Sequence, residues 1–370
     1  MKILVLNWRD IKNPEHGGAE ILTNEMAKRW VSWGHEVTQF SSRYPGSGQN
    51  DRIDGVKIVR AGSGQITSMR VPVHLAAFFW YRKHALEFDV VIDEIHGIPF
   101  FSVLYAKVPV VALICEVAGD LWDITFFWPL NRIGAFIERN YFRYYQSVPF
   151  MTISSSSRNE LVQRGVSKPR VTVLPMGVTV PPFARQKRKE QVPTLIYVGR
   201  LTKAKGIEDA IDVVGRLKTS LPKVKLWVVG SGDSDYVSTL TKKIKSQSLS
   251  SNIQLFGYIS EEKKFNLMAR AHILIAPSYK EGWGLTPIEA GSVGTPCVSY
   301  NVDGLRDSVL HNKTGLLTTP GVSSMEEGVR KLLGDQALYK KLQSGGQKRR
   351  KVYSWDNTAK VAIDVLTGVA

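Results

Sequence analysis

Short apolar runs rich in Val, Ile and Leu recur along the chain, separated by longer stretches whose apolar positions return every three or four residues. KILVLN, EVTQF, VKIVRA, DVVIDE, VPVVALI and FMTISS occupy the first half, and TLIYVG, KLWVVG, NIQLFG, ILIAPS and PCVSYN the second. Runs of this length, apolar on both faces, predict strands of parallel sheets covered by helices on either side. Stretches such as AEILTNEMAKRWVSWG predict the covering helices. Two such series predict two doubly wound, Rossmann-like α/β domains, residues 1–176 and 177–354. Between them lies LPMGVTVPPFARQKRKEQVPT, whose prolines after Gly177 and basic run mark a loop outside either core.

In open α/β sheets a ligand sits beyond the carboxyl ends of the strands, and the chain's motifs fall there. NPEHGGAE follows the first strand, with Gly17 and Gly18 opening a helix. No G-x-G-x-x-G follows this strand, which counts against a dinucleotide oxidoreductase. VGRLTKAKGIEDAI puts Arg200 at a strand end and Lys205-Gly206 at a helix start, while Gly230, Gly232, Gly257 and Tyr258 end two further strands.

EGWGLTPIEA holds Glu281 and Glu289. Were the stretch one helix, their backbones would stand roughly 12 Å apart. A glycosidase pair needs carboxyls about 5–9.5 Å apart. Gly282 and Gly284 disfavour one continuous helix, and Thr286-Pro287-Ile288-Glu289 predicts a helix start with Thr286 as N-cap and Glu289 closing a capping box. Two readings stand side by side. Glu289 caps its helix and Glu281 is solvated, or both accept hydroxyls of a ligand whose anionic part meets the backbone of Gly282, Trp283, Gly284, Leu285 and Thr286 at the helix N-terminus. Arg200 and Lys205 converge on the same anion in the second reading. A diphosphate then lies between a ribose held by Glu289 and a sugar held by Glu281, with the base near Tyr258.

Composition narrows the classes. The 370 residues are 43% hydrophobic and 22% charged, as in an ordinary soluble protein of two domains. The formal charge is +16. Residues 1–176 hold 20 Lys+Arg against 16 Asp+Glu, a net of +4, and the remainder 29 against 17, a net of +12. An anionic cosubstrate or membrane fits this excess. Nucleic acid does not, since no recognition motif accompanies it. Cys115 and Cys297 form no metal or disulfide framework, which fits a reducing compartment. The start MKILVLNWRD is not read as a signal peptide, and no apolar run reaches the roughly 18 residues of a membrane span. The expectation is a cytoplasmic protein able to touch the inner face of a membrane.

GGAE, VGRLTKAKG, APSYKEGWGLTPIEAGSVGTPCVSYNVDGLRD and YSWDNTAKVAIDVL together resemble glycosyltransferase family four, nearly end to end and most strongly over residues 195–320. The resemblance implies the GT-B fold, two Rossmann-like domains facing across a cleft, with a last helix at about 355–370 returning to the first domain. It implies a retaining hexosyltransferase using a nucleotide-diphosphate sugar, with no metal or other cofactor. Arg200 and Lys205 would neutralise the diphosphate, Glu281 contact the sugar, Glu289 bind the ribose, and Gly18 approach from the first domain.

Two departures stand out. PVVALIC puts Cys115, followed by Glu116 and Asp120, where the family commonly has a histidine, and LPMGV replaces a frequent Pro-Asn-Gly. His96, ending a neighbouring strand, joins Cys115, Glu116 and Asp120 as acceptor-side candidates. Residues 121–146 carry nine aromatics with Arg132, Arg139 and Arg143. That stretch is either a helix packed on its own sheet or a membrane-facing segment admitting a lipid-linked acceptor. Rival functions are a nucleotide-sugar hydrolase or epimerase of the same fold and a non-catalytic nucleotide-sugar binder.

Overall fold

The computed structural model describes residues 1–64, 71–119, 122–123, 128–181 and 187–370; Asp120 and part of the 121–146 segment lie outside them. The chain divides into two compact units, Met1–Gly177 with Ser354–Ala370, and Val178–Tyr353.

Unit 1 is built on eight strands: β1 (Lys2–Leu6), β2 (Glu36–Arg43), β3 (Asn50–Ile53), β4 (Val56–Ser63), β5 (Val90–Ile95), β6 (Val110–Ile114), β7 (Phe150–Thr152) and β8 (Val171–Val173). Their spatial order is β3-β4-β2-β1-β5-β6-β7-β8. Only β3 runs antiparallel, against β4. Ile3, Leu4, Val5 and Leu6 of β1 are all buried, which is why this strand shows no apolar–polar alternation.

The unit's main helices are α1 (Gly18–Ser32), α2 (Val73–His84), α3 (Leu130–Tyr145), α4 (Ser155–Gln163) and, from the chain's end, α12 (Trp355–Thr367). Glu20 Oε2 accepts the Gly17 N–H at 2.6 Å, fixing the start of α1. α12 lies on α1, where Trp30 Nε1 donates to the Ala359 carbonyl at 2.9 Å. Trp355 presses on Gly177, where a Cβ would come within 2.3 Å of the indole.

Unit 2 is a six-stranded parallel sheet in the order β11-β10-β9-β12-β13-β14. Its strands are β9 (Thr194–Val198), β10 (Lys225–Val229), β11 (Ile253–Gly257), β12 (Ile273–Ala276), β13 (Cys297–Tyr300) and β14 (Gly315–Thr318). The helices are α5 (Ile207–Lys218), α6 (Ser234–Ser246), α7 (Glu261–Arg270), α8 (Leu285–Ser292), α9 (Leu305–Ser308), α10 (Val322–Gly334) and α11 (Gln336–Arg349). α5 shows how pattern becomes packing: Ile207, Ala210, Ile211, Val214 and Leu217 return on one stripe and are all buried. Each large aliphatic among them contributes about 1.5–3 kcal/mol by leaving water.

The inter-domain segment corrects the sequence reading that it stands outside either core. Val180 packs on the apolar core of unit 2. Lys189 Nζ donates to the carbonyls of Ala269 and Ala271 at 3.1 and 2.8 Å and to Thr295 Oγ1 at 2.6 Å. It thereby satisfies carbonyls left open at the end of α7. The basic run thus contributes an internal clip as well as surface charge.

Strand order reverses between β1 and β5 in unit 1 and between β9 and β12 in unit 2. Each reversal opens a crevice at the carboxyl ends of the strands, the place where doubly wound sheets bind ligands.

Candidate active site

At the unit 2 reversal, the loop leaving β9 carries Arg200, exposed, and Lys205 in a single 3₁₀ turn over Lys203–Lys205. The loop leaving β12 carries Ser278 and Glu281. Lys205 Nζ lies 2.7 Å from Glu281 Oε1, and Ser278 Oγ donates to the same oxygen at 3.0 Å. Both partners of the ion pair keep about a fifth of their side chains exposed, 20% and 21%. Asp209 Oδ2, in the first turn of α5, accepts the Tyr279 hydroxyl at 2.7 Å and also that of Tyr300, which fastens the Glu281 loop to the helix after Lys205.

The helix after Glu281 starts earlier than the sequence suggests. α8 begins at Leu285 with Gly284 as N-cap, at φ 86°, and no side chain caps it. The capping box expected from Thr286 to Glu289 is therefore absent. Thr286 and Pro287 are the second and third helical residues, and Glu289 lies beyond the reach of a cap. The left-handed φ favours glycine at the N-cap, so Gly284 takes the role assigned to Thr286. Without a side-chain cap, the N–H groups of Leu285 and Thr286 have no intrahelical acceptor. Gly304 holds this loop from the other side, where a Cβ would stand 2.1 Å from the Glu281 carbonyl oxygen.

Glu289 is instead paired with Lys264 of α7, whose Nζ donates to Glu289 Oε1 at 3.1 Å and lies 2.8 Å from Glu261 Oε2. Burial lifts the Glu289 carboxyl above its usual range, opposed by the Lys264 charge. Gly230 ends β10 packed against Gly199, so near that a Cβ would come within 1.9 Å of its carbonyl oxygen. Tyr258 stands exposed after β11. The Trp283 indole packs edge-on against Tyr353, its Nε1 buried without a hydrogen-bond partner.

The unit 1 reversal is constructed otherwise. Gly18 opens α1 there. Glu94, at the end of β5 and fully buried, accepts Asn7 Nδ2 at 2.7 Å and Thr23 Oγ1 at 2.6 Å. His96 Nε2 lies 3.1 Å from Glu94 Oε1, and its ring stacks on Trp8 with centroids 5.3 Å apart. Trp8 Nε1 in turn donates to Glu20 Oε1 at 3.3 Å. Burial pushes the His96 imidazolium down, but the hydrogen bond and charge of Glu94 outweigh it, and the net displacement is upward. A carboxylate satisfied by three donors supports that direction.

Cys115 follows β6 directly and is half-buried, and its carbonyl accepts Ser157 Oγ at 2.9 Å. Burial first, then Glu94, Glu116 and Glu20, push its thiol well above the ordinary range. Glu138 of α3 accepts the N–H groups of Ala118 and Gly119 at 2.7 and 2.8 Å, which orders the segment after Glu116. Among the described residues no three His, Cys, Asp or Glu gather as a metal site.

Two family models cover these two regions in turn. "Glycosyltransferase Family 4" matches residues 16–180 and "Glycosyl transferases group 1" residues 182–349. The chain is a family 4 glycosyltransferase of the GT-B fold. Glycogen synthase of Mycobacterium tuberculosis is 28% identical over 225 residues, 60% of this chain and 54% of that protein. This glycosyltransferase spans about half the length of such curated relatives.

Sucrose-phosphate synthase of Thermosynechococcus elongatus superposes with a TM-score of 0.82 at 18% identity, covering 99% of this chain and 98% of that one. Anabaena HepE in complex with UDP-glucose superposes at 0.74 and 18% identity, with 100% of both chains covered. At these identities the likeness is one of fold.

Of the residues named from sequence, Lys205 and Glu281 meet directly, with Arg200 on the same loop as Lys205. His96 and Cys115 end adjacent strands of unit 1. Sequence reasoning missed Lys264, Glu94, Trp8 and Glu20. Glu94 and His96 alone carried a signal, as two ionisable groups two apart at a strand end.

Proposed function

We propose that this glycosyltransferase moves a hexose from a nucleotide-diphosphate sugar to a hydroxyl of a lipid- or glycan-linked acceptor, with retention of anomeric configuration and without a bound metal. The Lys205–Glu281 pair beside Arg200, at the switch point of unit 2, carries this reading. Its two members are only loosely held by the protein, since ion pairs that reach solvent contribute little. An arriving diphosphate takes Lys205 and Arg200, and Glu281 is released to accept a hydroxyl of the donor sugar. The N–H groups of Leu285 and Thr286 complete the anion site.

Glu289 binds the ribose, sharing its charge with Lys264, and Tyr258 lies by the base. As the glycosidic bond breaks, charge develops on the leaving phosphate. The fixed cations of unit 2 stabilise that charge in place of a metal. On the acceptor side, His96 is oriented by Glu94 and stacked on Trp8, with Cys115 and Glu116 on the next strand; Asp120 stays a candidate from sequence alone. The HepE complex with UDP-glucose supports a uridine diphosphate sugar as the first donor to test.

The test is a thermal-shift screen of UDP-, GDP- and ADP-sugars, followed by product analysis with and without acceptor, with EDTA present, and with the new linkage read by NMR. One nucleotide class should raise the melting temperature. Its sugar should then appear on the acceptor with the donor's anomeric configuration. Sugar release that ignores the acceptor, or a strict need for Mg²⁺ or Mn²⁺, would overturn the proposal.

A further inference from the structure

Crossovers between parallel strands are right-handed. The step from β1 to β2 runs one way across the unit 1 sheet, and the steps from β4 to β5 and from β6 to β7 run the other way. α2 and α3 therefore cover the same face, opposite α1. Packing agrees: Val103 touches both the core beneath α2, with Ala77 and Tyr81, and the core beneath α3, with Phe142 and Tyr145.

The outer side of this face is apolar where a solvated helix pair would be polar. Leu75 and Phe79 of α2, Leu104 between the helices, and Ile133 and Phe136 of α3 are all exposed, Leu104 by 62% and Phe136 by 68%. α3 already buries Tyr141, Phe142 and Tyr145, so Ile133 and Phe136 are surplus to its own packing.

Exposed cations surround these side chains: Arg82 and Lys83 on α2, and Arg132, Arg139 and Arg143 on α3. α2 contains no acidic residue, and the one acid of α3, Glu138, is buried. Among the described residues, the exposed acids next to these helices in the sequence, Glu87 and Asp123, bond His84 and Asn131. Apolar anchors set among arginines are complementary to one surface chemistry, an acyl layer bordered by phosphates.

We propose that the α2–α3 face of unit 1 docks on an anionic lipid bilayer. Phe79, Leu104 and Phe136 enter the headgroup–acyl boundary, and the arginines of both helices meet lipid phosphates. The docking stands independently of the transfer reading; only its consequence, that a lipid-linked acceptor is met at the membrane surface, rests on it. Among the described residues no helix is long and apolar enough to cross a membrane.

Vesicle flotation tests it on the full chain. The protein should float with vesicles of equimolar phosphatidylglycerol and phosphatidylcholine and stay behind with phosphatidylcholine alone. Arg139→Gln and Arg143→Gln should each lower partitioning about fivefold. Phe136→Ser and Phe79→Ser should each lower it as well, with unchanged melting temperature because neither ring is in a core.

Failure of the wild type to float, equal binding to both vesicles, or indifference to Phe79→Ser would overturn the two-helix face. So would a solution dimer, seen by light scattering, that Phe136→Ser dissociates, since a second copy of the chain would then be its occupant. Donor-induced thermal shifts, measured in the same samples, report on the transfer reading separately.

Discussion

Unit 1 and unit 2 each place polar residues at the reversal of a parallel sheet, and they hold them in opposite ways. In unit 2 Lys205 and Glu281 sit on short loops, partly exposed, and pair with each other, while Lys264 of α7 pairs with Glu289 of α8 in a more buried setting. In unit 1 Glu94 is fully buried and gathers Asn7, Thr23 and His96 around it. A loosely paired site can exchange its internal partners for a charged ligand at little cost in stability. A buried network cannot, because each donor left without Glu94 forfeits its desolvation energy. The first arrangement suits gripping a diphosphate, and the second suits holding one ring in one orientation.

The sharpest way to break this contrast is to remove Glu94. Glu94→Ala leaves three buried donors without an acceptor and should cost about 3–5 kcal/mol of stability, read as a urea midpoint. Glu94→Gln should cost less. A loss under about 1 kcal/mol for the alanine variant would place the network among ordinary surface contacts.

Next come the two glutamates of unit 2. Glu289→Gln weakens a buried pair and should cost about 1–3 kcal/mol of stability together with affinity for the nucleotide. Glu281→Gln keeps an acceptor for Ser278, so its stability should change by less than about 1 kcal/mol while kcat falls. If both variants bind intact sugar nucleotide as the wild type does and differ only in melting temperature, neither glutamate grips the donor.

Cys115 sharpens the unit 1 side. Its thiol is held protonated by burial and by surrounding carboxylates, which disfavours a nucleophilic role. Cys115→Ser should therefore keep at least partial transfer activity. Complete loss, with a glycosyl-cysteine trapped in the wild type by mass spectrometry, would reverse that assignment.

The last effect is read as a slope against pH and concerns Lys189, which burial pushes down to about 7 from its usual 10.5. Between those values the unfolded chain binds the proton and the folded one does not, so stability from this group rises as pH climbs from about 7 towards 10.5. Urea midpoints across that window should rise more steeply for the wild type than for Lys189→Met. Parallel slopes would show that the lysine stays charged in its socket.

The same contrast explains what could be read from sequence. β1, β5, β9 and β12 are near-continuous apolar runs, and buried parallel strands leave that signature. β3, β8 and β14 are only three or four residues long and passed unnoticed. The proposed donor-side residues are local: Arg200 and Lys205 share one loop, and Glu281 and Glu289 one motif, so spacing and glycines expose them. The start of α8 was misjudged because Thr-Pro mimics a cap, while Gly284 takes that place through its positive φ.

Trp8, Glu20 and Glu94 come together only through the sheet order, and nothing in their local sequence points from one to another. Lys189 hid within a basic run that reads as solvated charge. Its burial depends on where α7 ends, a tertiary fact.

The central claim, that Lys205 and Arg200 hold the donor through its diphosphate, is tested most directly by calorimetry on Lys205→Ala. The ligands are the preferred nucleoside diphosphate and the matching nucleoside. Diphosphate affinity should fall by about 1.5–3 kcal/mol, the size of a hydrogen bond to a charged group, and nucleoside affinity should stay as in the wild type. Equal losses for the two ligands would contradict the account.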